Sequence, residues 1–101
     1  LGMMLHELAA NAAKHGALAV AAGRVELSWR REQNGDLEIV WRERGGPPVA
    51  RPEREGFGMR LVRGVVTHEL GGTLAMEFNQ QGLCCEIHIP REHLQESEQA
   101  A

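Results

Sequence analysis

The stretch LHELAANAAKHGAL, residues 5–18, decides how this chain folds. Leu1, Met4, Leu5, Leu8 and Ala12 recur at steps of three and four, the spacing of one apolar helix face. Gly16 stops the run, so the pattern predicts a helix over residues 1–15. The same stretch carries Glu7, Asn11 and Lys14, four and then three positions apart. At about 100° per residue these fall within about 60° of arc, beside the apolar stripe rather than opposite it. That border is where a pocket wall would stand. An exposed Glu–Lys face would add only about 0.2–0.5 kcal/mol per pair. It also gives no reason for Asn11, a poor helix former that gains nothing locally in mid-helix.

Two strands follow the helix. In RVELSW, residues 24–29, Val25, Leu27 and Trp29 alternate with Glu26 and Ser28. In DLEIVW, residues 36–41, Leu37, Ile39 and Trp41 share a face, and Asn34-Gly35 between the two runs is a hairpin-turn signal. Residues 44–56, RGGPPVARPEREG, hold three prolines and paired glycines, which excludes regular structure. A second helix, about 58–70, turns Leu61, Val62, Val65 and Val66 inward and ends at Gly71-Gly72. Strands over 73–79 and 83–89 alternate through Leu74, Met76 and Phe78, then Leu83, Cys85, Ile87 and Ile89, around NQQG. Residues 1–90 read as one domain, and 91–101 as a polar tail that frays or continues as a short helix. The order predicts an α+β fold: a two-layer α/β sandwich with a mixed, mostly antiparallel sheet and helices on one face.

The bulk numbers fit one small domain. A chain of 101 residues supports a single modest core, and 43% hydrophobic with 25% charged is ordinary globular composition. The net charge of −3 lacks the basic footprint of a nucleic-acid binder. No apolar run reaches membrane-span length and no signal peptide is visible. The first residues already lie inside a helical pattern with no Met at position 1, so the chain reads as a piece of something longer. Cys84 and Cys85 are adjacent, and strand neighbours point to opposite faces, so one core thiol and one surface thiol are expected rather than a disulfide. A reducing, cytoplasmic setting follows from that usage.

Three places carry chemistry. Asn11 offers a hard amide oxygen suited to Mg²⁺, and Lys14 a point charge for a phosphate. Glu7 is placed to orient a water or accept a proton. At the end of the second strand, Glu43 shares a face with Trp41 and is followed by Gly45-Gly46. Such a carboxylate can accept from an exocyclic amine while a flat ring slides against the glycines. By residue type alone a solvated Glu after a core Trp is the better reading. Finally, Gly56-Phe57-Gly58 opens a helix, where close backbone amides and the positive helix end suit an anion, although G-x-G alone is a weak signal.

Taken in order, these motifs resemble the ATP-binding catalytic domain of sensor histidine kinases, in the GHKL superfamily with its Bergerat fold. HELAANAAKHGAL resembles the N-box, WRERGGPPV the first glycine box and REGFGMRLV the second, while LGGTLAMEF and GLCCEIHIP resemble the closing strands. Within that superfamily the chain is most similar to the HWE kinases, named for an N-box His and a Trp-x-Glu, here His6 and Trp41-x-Glu43. The resemblance implies ATP and Mg²⁺ as cofactors, with Asn11 as metal ligand and Lys14 on the phosphates. Glu7 stands where related ATPases place a general base. Glu43 is the adenine-reading acid, usually Asp in other branches. Gly45, Gly46, Gly56, Phe57, Gly58, Arg60 and Leu61 surround the nucleotide, and His15 replaces the usual Tyr. His6 receives no catalytic step. The implied partners are a histidine-bearing dimerisation domain of the same kinase and a response regulator, within a homodimeric full-length protein, with no nucleic acid and no membrane contact by this domain. A GHKL ATPase, an anti-sigma-type serine kinase and a degenerate nucleotide-binding module are the competing readings.

Overall fold

The computed structural model describes residues 2–48 and 56–94. Helix α1 spans Gly2–His15 and is followed by a 3₁₀ turn at Ala17–Ala19. Strands β1 (Arg24–Arg31) and β2 (Leu37–Arg44) form the first hairpin. Helix α2 (Phe57–Gly64) runs into a π turn at Val65–Glu69, and β3 (Thr73–Asn79) and β4 (Gly82–Ile89) close the fold. The sheet order is β1-β2-β4-β3. All three pairings among the described strands are antiparallel, in keeping with the mostly antiparallel sheet the sequence predicts.

Register explains the core. One row across the sheet reads Trp29–Ile39–Ile87–Leu74, and the next Leu27–Trp41–Cys85–Met76. Because side chains alternate at period two, both rows face the helices. Met4, Leu8 and Ala12 of α1 and Val62, Val65 and Val66 of the second helical stretch join Ile39, Trp41, Cys85, Ile87 and Ile89 in one buried cluster. Strand β1 departs from expectation: its apolar residues occupy the helix-side face, yet Trp29 is 69% exposed. It is the edge strand, and cover by the described helices falls on the rows nearer the sheet centre.

The second helix also differs in detail. Leu70 N–H donates to the Val65 carbonyl at 2.9 Å, a five-residue step. This widened turn lets the sequence neighbours Val65 and Val66 both lie buried. The turn of helix at residues 91–94 buries Leu94, so the expected polar tail begins with an anchor. Residues 95–101 and most of the proline-rich loop, 49–55, lie outside the described residues.

The opposite sheet face is polar. Arg30 pairs with Glu38 at 2.7 Å and Arg44 with Glu26. Cys84 lies on this face but is buried, so the expected surface thiol is corrected. Its cross-strand neighbours are Arg42 and Glu77, whose long side chains flank it. Burial pushes the Cys85 thiol up to about 12, so it is inert as a nucleophile.

Asp36 ties the hairpin to the far end of β4. Its Oδ1 accepts the Arg91 backbone N–H at 3.0 Å, and its Oδ2 lies 2.7 Å from His88 Nε2. The Asp36 hydrogen bond holds His88 above the ordinary 6.5, with Glu32 and Glu38 adding to the effect. The Arg91 amide and then His88 hold Asp36 below its ordinary 3.8. A raised histidine stabilises fully below its unfolded pKa and loses this as pH rises through the folded value. A depressed carboxylate contributes above its unfolded pKa and loses this as pH falls through the folded one. The Tm advantage of wild type over His88→Gln is therefore expected to be greatest between about pH 4 and 6.5 and to narrow at higher pH. A gap that stays constant from pH 5 to 9 would show that the pair is not linked to folding.

Candidate nucleotide-binding site

Two elements meet where chemistry is expected. Helix α1 buries Met4, Leu8 and Ala12, which leaves Glu7 and Asn11 half-buried at the rim of that face. The N-terminus of α2 packs against this rim. A Cβ placed on Gly58 would lie 2.7 Å from Glu7 Oε2 and 3.7 Å from Asn11 Oδ1. A larger residue at position 58 would have to displace the Glu7 carboxylate from this contact. Glu7, Asn11 and the Gly58 turn are thus brought together.

Asn11 stands out within this group. Its Nδ2 is buried and has no hydrogen-bond partner among the described residues. A buried amide that the fold leaves unpaired costs stability, about 1–3 kcal/mol. Nothing in the packing accounts for its retention, and a bound group would. Lys14, His15 and Arg60 are exposed, Leu61 is half-buried, and Gly56 has open space around it. Phe57 is 73% exposed at the mouth of the turn.

Glu43 occupies a separate cradle. It is only 4% exposed. The Ala17 backbone N–H donates to its Oε1 at 2.9 Å, and the Trp41 indole N–H to its Oε2 at 3.2 Å. This is not the solvated Glu that residue type suggests. Two glycines make room for it: a Cβ on Gly16 would meet Glu43 Oε1 at 2.2 Å, and one on Gly82 would meet Glu43 Cβ at 2.6 Å. Gly45 and Gly46 play a different part from the expected ring platform. Their Cβ positions are filled by backbone of Ala22, Ala17 and Gln81, and Gly46 N–H donates to the Gln81 carbonyl at 3.0 Å. They fasten the end of β2 beneath the 3₁₀ turn and beside the β3–β4 hairpin.

An open groove of about 400 Å³ lies at the end of β2 and the β3–β4 hairpin, lined by Arg42, Glu43, Arg44, Glu77, Asn79, Gln80, Gln81 and Cys84. It is not part of the Glu7–Asn11–Gly58 arrangement.

The chain has recognisable relatives among known proteins. The chain is 47% identical over 93 residues to a blue-light-activated histidine kinase 1 from Erythrobacter litoralis (strain HTCC2594), which covers 89% of the chain and 25% of that protein. It is 43% identical over 91 residues to a blue-light-activated histidine kinase from Rhizobium johnstonii, covering 89% of the chain and 26% of that protein. In three dimensions it is similar to the histidine kinase domain of the Erythrobacter litoralis EL346 blue-light activated kinase, with a TM-score of 0.77, 24% identity, and coverage of 94% of this chain and 45% of that one. Over most of its own length the chain is thus similar to histidine kinases, and it shares the fold of a histidine kinase domain. The catalytic domain of histidine kinase ThkA has the same fold, with a TM-score of 0.67 at 19% identity over 87% of this chain and 64% of that one. No family model matches the chain. It spans about a quarter of the length of the curated relatives it matches.

The sequence reading missed the Glu43 cradle. Gly16 reads as a helix stop and Gly82 as a turn residue. The available signal was a glycine at the first position of a strand, which often marks close backbone approach. Gly82 adopts φ +130°, so an alanine there is strained as well as crowded by Glu43. Gly82→Ala is expected to cost about 1–3 kcal/mol in urea denaturation; a variant as stable as wild type would show that the strand can shift freely around Glu43. Among the described residues no helix is long and apolar enough to cross a membrane.

Proposed function

We propose that the chain is the ATP-binding catalytic part of a two-component sensor histidine kinase, which presents the γ-phosphate of ATP to a histidine on a separate dimerisation domain. The observation that carries this is Asn11, whose Oδ1 faces Gly58 beside Glu7 and whose buried Nδ2 donor has no partner among the described residues. The residues fit a hydrated magnesium ion. Asn11 supplies a neutral oxygen, and no side chain intrudes from the glycine opposite. When bound, the ion supplies charge neutralisation at the phosphates.

The chain's own residues then position and neutralise. Lys14, one turn beyond Asn11, meets the phosphate tail as a point charge. The amides of the Gly56–Gly58 turn, with Arg60 behind them, receive the phosphoryl oxygens at a helix N-terminus. The acceptor histidine's imidazole nitrogen attacks the γ-phosphorus in line. The bond to the bridging β,γ-oxygen breaks, its electron pair leaves with ADP, and the imidazole proton passes to solvent. Catalysis here is positioning and electrostatics rather than covalent chemistry by the domain. The phosphoryl group then passes to an aspartate of a response regulator, within a homodimeric cytoplasmic kinase. Glu7, beside Gly58, also favours a second reading, ATP hydrolysis with Glu7 as general base; steady hydrolysis that vanishes in Glu7→Ala would select it.

The test is a thermal-shift titration with ADP and Mg²⁺. A ligand at a hundred times its Kd stabilises by about 2.7 kcal/mol, a Tm rise of several degrees for a domain of this size. Without an acceptor domain the chain is expected to show little autophosphorylation. No shift at millimolar ADP would overturn the nucleotide-binding reading.

A further inference from the structure

Three metal-ligating side chains converge at the β1–β2 turn, at the other end of β2 from Glu43. One carboxylate oxygen each from Glu32 and Asp36 and a ring nitrogen of His88 all lie within 4.8 Å of one another. The backbone sets this arrangement. Glu32 and Asp36 flank the turn, where the Glu32 N–H donates to the Asp36 carbonyl at 2.8 Å and the Gly35 N–H to the Glu32 carbonyl at 2.9 Å. The β2–β4 register brings His88 opposite Glu38, two positions from Asp36. The Arg91 amide holds Asp36 Oδ1, which leaves Oδ2 aimed at His88 Nε2. The Asp36–His88 pair accounts for two of the three groups. It gives no reason for Glu32, a half-buried carboxylate that has no hydrogen bond or ion pair with any described residue. Two carboxylates this close repel, and one imidazolium neutralises only one of them. A divalent cation neutralises both.

We propose that Glu32, Asp36 and His88 bind a zinc ion that clamps the β1–β2 turn to the end of β4. Zinc takes nitrogen and carboxylate oxygen at about 2.0–2.2 Å, which places tetrahedral ligands about 3.4 Å apart. Small side-chain rotations reach that spacing, and the Asp36–His88 hydrogen bond gives way to two bonds to the ion. Water fills the fourth position. The imidazole selects zinc over Mg²⁺ and Ca²⁺, which prefer oxygen throughout. Arg31 and Arg91 reach the same turn, where they donate to the Gly35 and Asn34 carbonyls. The site shares no residue with the Glu7–Asn11–Gly58 arrangement and does not depend on nucleotide binding.

The experiment titrates zinc into the metal-free full chain by calorimetry, on wild type, Glu32→Gln and Glu38→Gln. Glu32→Gln removes one ligand and leaves the Asp36–His88 bond in place, so its metal-free Tm should match wild type. The expected result is one zinc per chain at micromolar concentration, weakened about tenfold or more by Glu32→Gln. Glu38→Gln, which removes a neighbouring charge outside the set, should change affinity about threefold or less. Imidazole NMR on wild type gives a second readout that needs no variant: of the five histidines, only His88 should shift with zinc. Wild type that takes up no zinc, equal losses in the two variants, an unchanged Kd in Glu32→Gln, or shifts at other histidines would each overturn the proposal.

Discussion

Asn11→Ala is expected to lower phosphoryl transfer to a supplied dimerisation domain by about 10²–10³-fold while leaving the domain as stable as wild type, or more so. The argument has two independent parts. On the functional side, removing the neutral Asn11 oxygen that faces the glycine turn takes away a preorganised contact where charge develops, and single contacts of that kind carry about that factor. On the structural side, Asn11 gives the fold little. Its Nδ2 is buried with no partner, and alanine is the better helix former by about half a kcal/mol. Substituting a residue kept only for packing would reduce stability and activity together. The two readings separate when Tm and phosphotransfer are measured on the same preparation. Normal transfer by Asn11→Ala would remove the amide from the site.

Ile87→Ala is expected to cost about 2–5 kcal/mol in urea denaturation. Ile87 lies on the inner strand β4, opposite Ile39 on one side and Leu74 on the other, and is 1% exposed. Helix α1 and the α2 segment close over it, so the cavity cannot collapse from any side without breaking sheet register. Small domains hold about 5–15 kcal/mol in all, so this one change consumes a large share. A cost under about 1 kcal/mol would mean that the helical layer packs more loosely over the sheet than the buried cluster implies.

Much of the fold was legible because its two periods are clean. The three- and four-residue steps of Met4, Leu8 and Ala12 could only be a helix face, and the alternations through β3 and β4 could only be strands. The contact between Glu7, Asn11 and the second glycine turn was legible from motif order. What stayed hidden depended on neighbours distant in sequence. Nothing local says that Trp29 lies on an uncovered edge, because Trp29 and Trp41 have the same alternating context. Nothing local says that Cys84 is roofed by Arg42 and Glu77, which reach it across strands. The burial of Glu43 was missed for the same reason: its partners are an amide 26 residues away and a glycine 39 positions further on, counted as 82 minus 43.

The π turn at Val65–Glu69 has a consequence for the opposite end of its helix. Such a turn contains one residue more than an α-helix needs, and in an α-helix each residue advances the chain by about 100° about the axis. The buried valines and Leu70 anchor the C-terminal side, so the surplus residue sets the rotational phase of everything before it. Shortening the segment by one would keep the helix and its hydrophobicity but turn Gly58 away from Asn11 by more than a quarter of a revolution. The spacing between anchor and glycine is thus itself a specification, invisible in composition and indifferent to which side chains fill it.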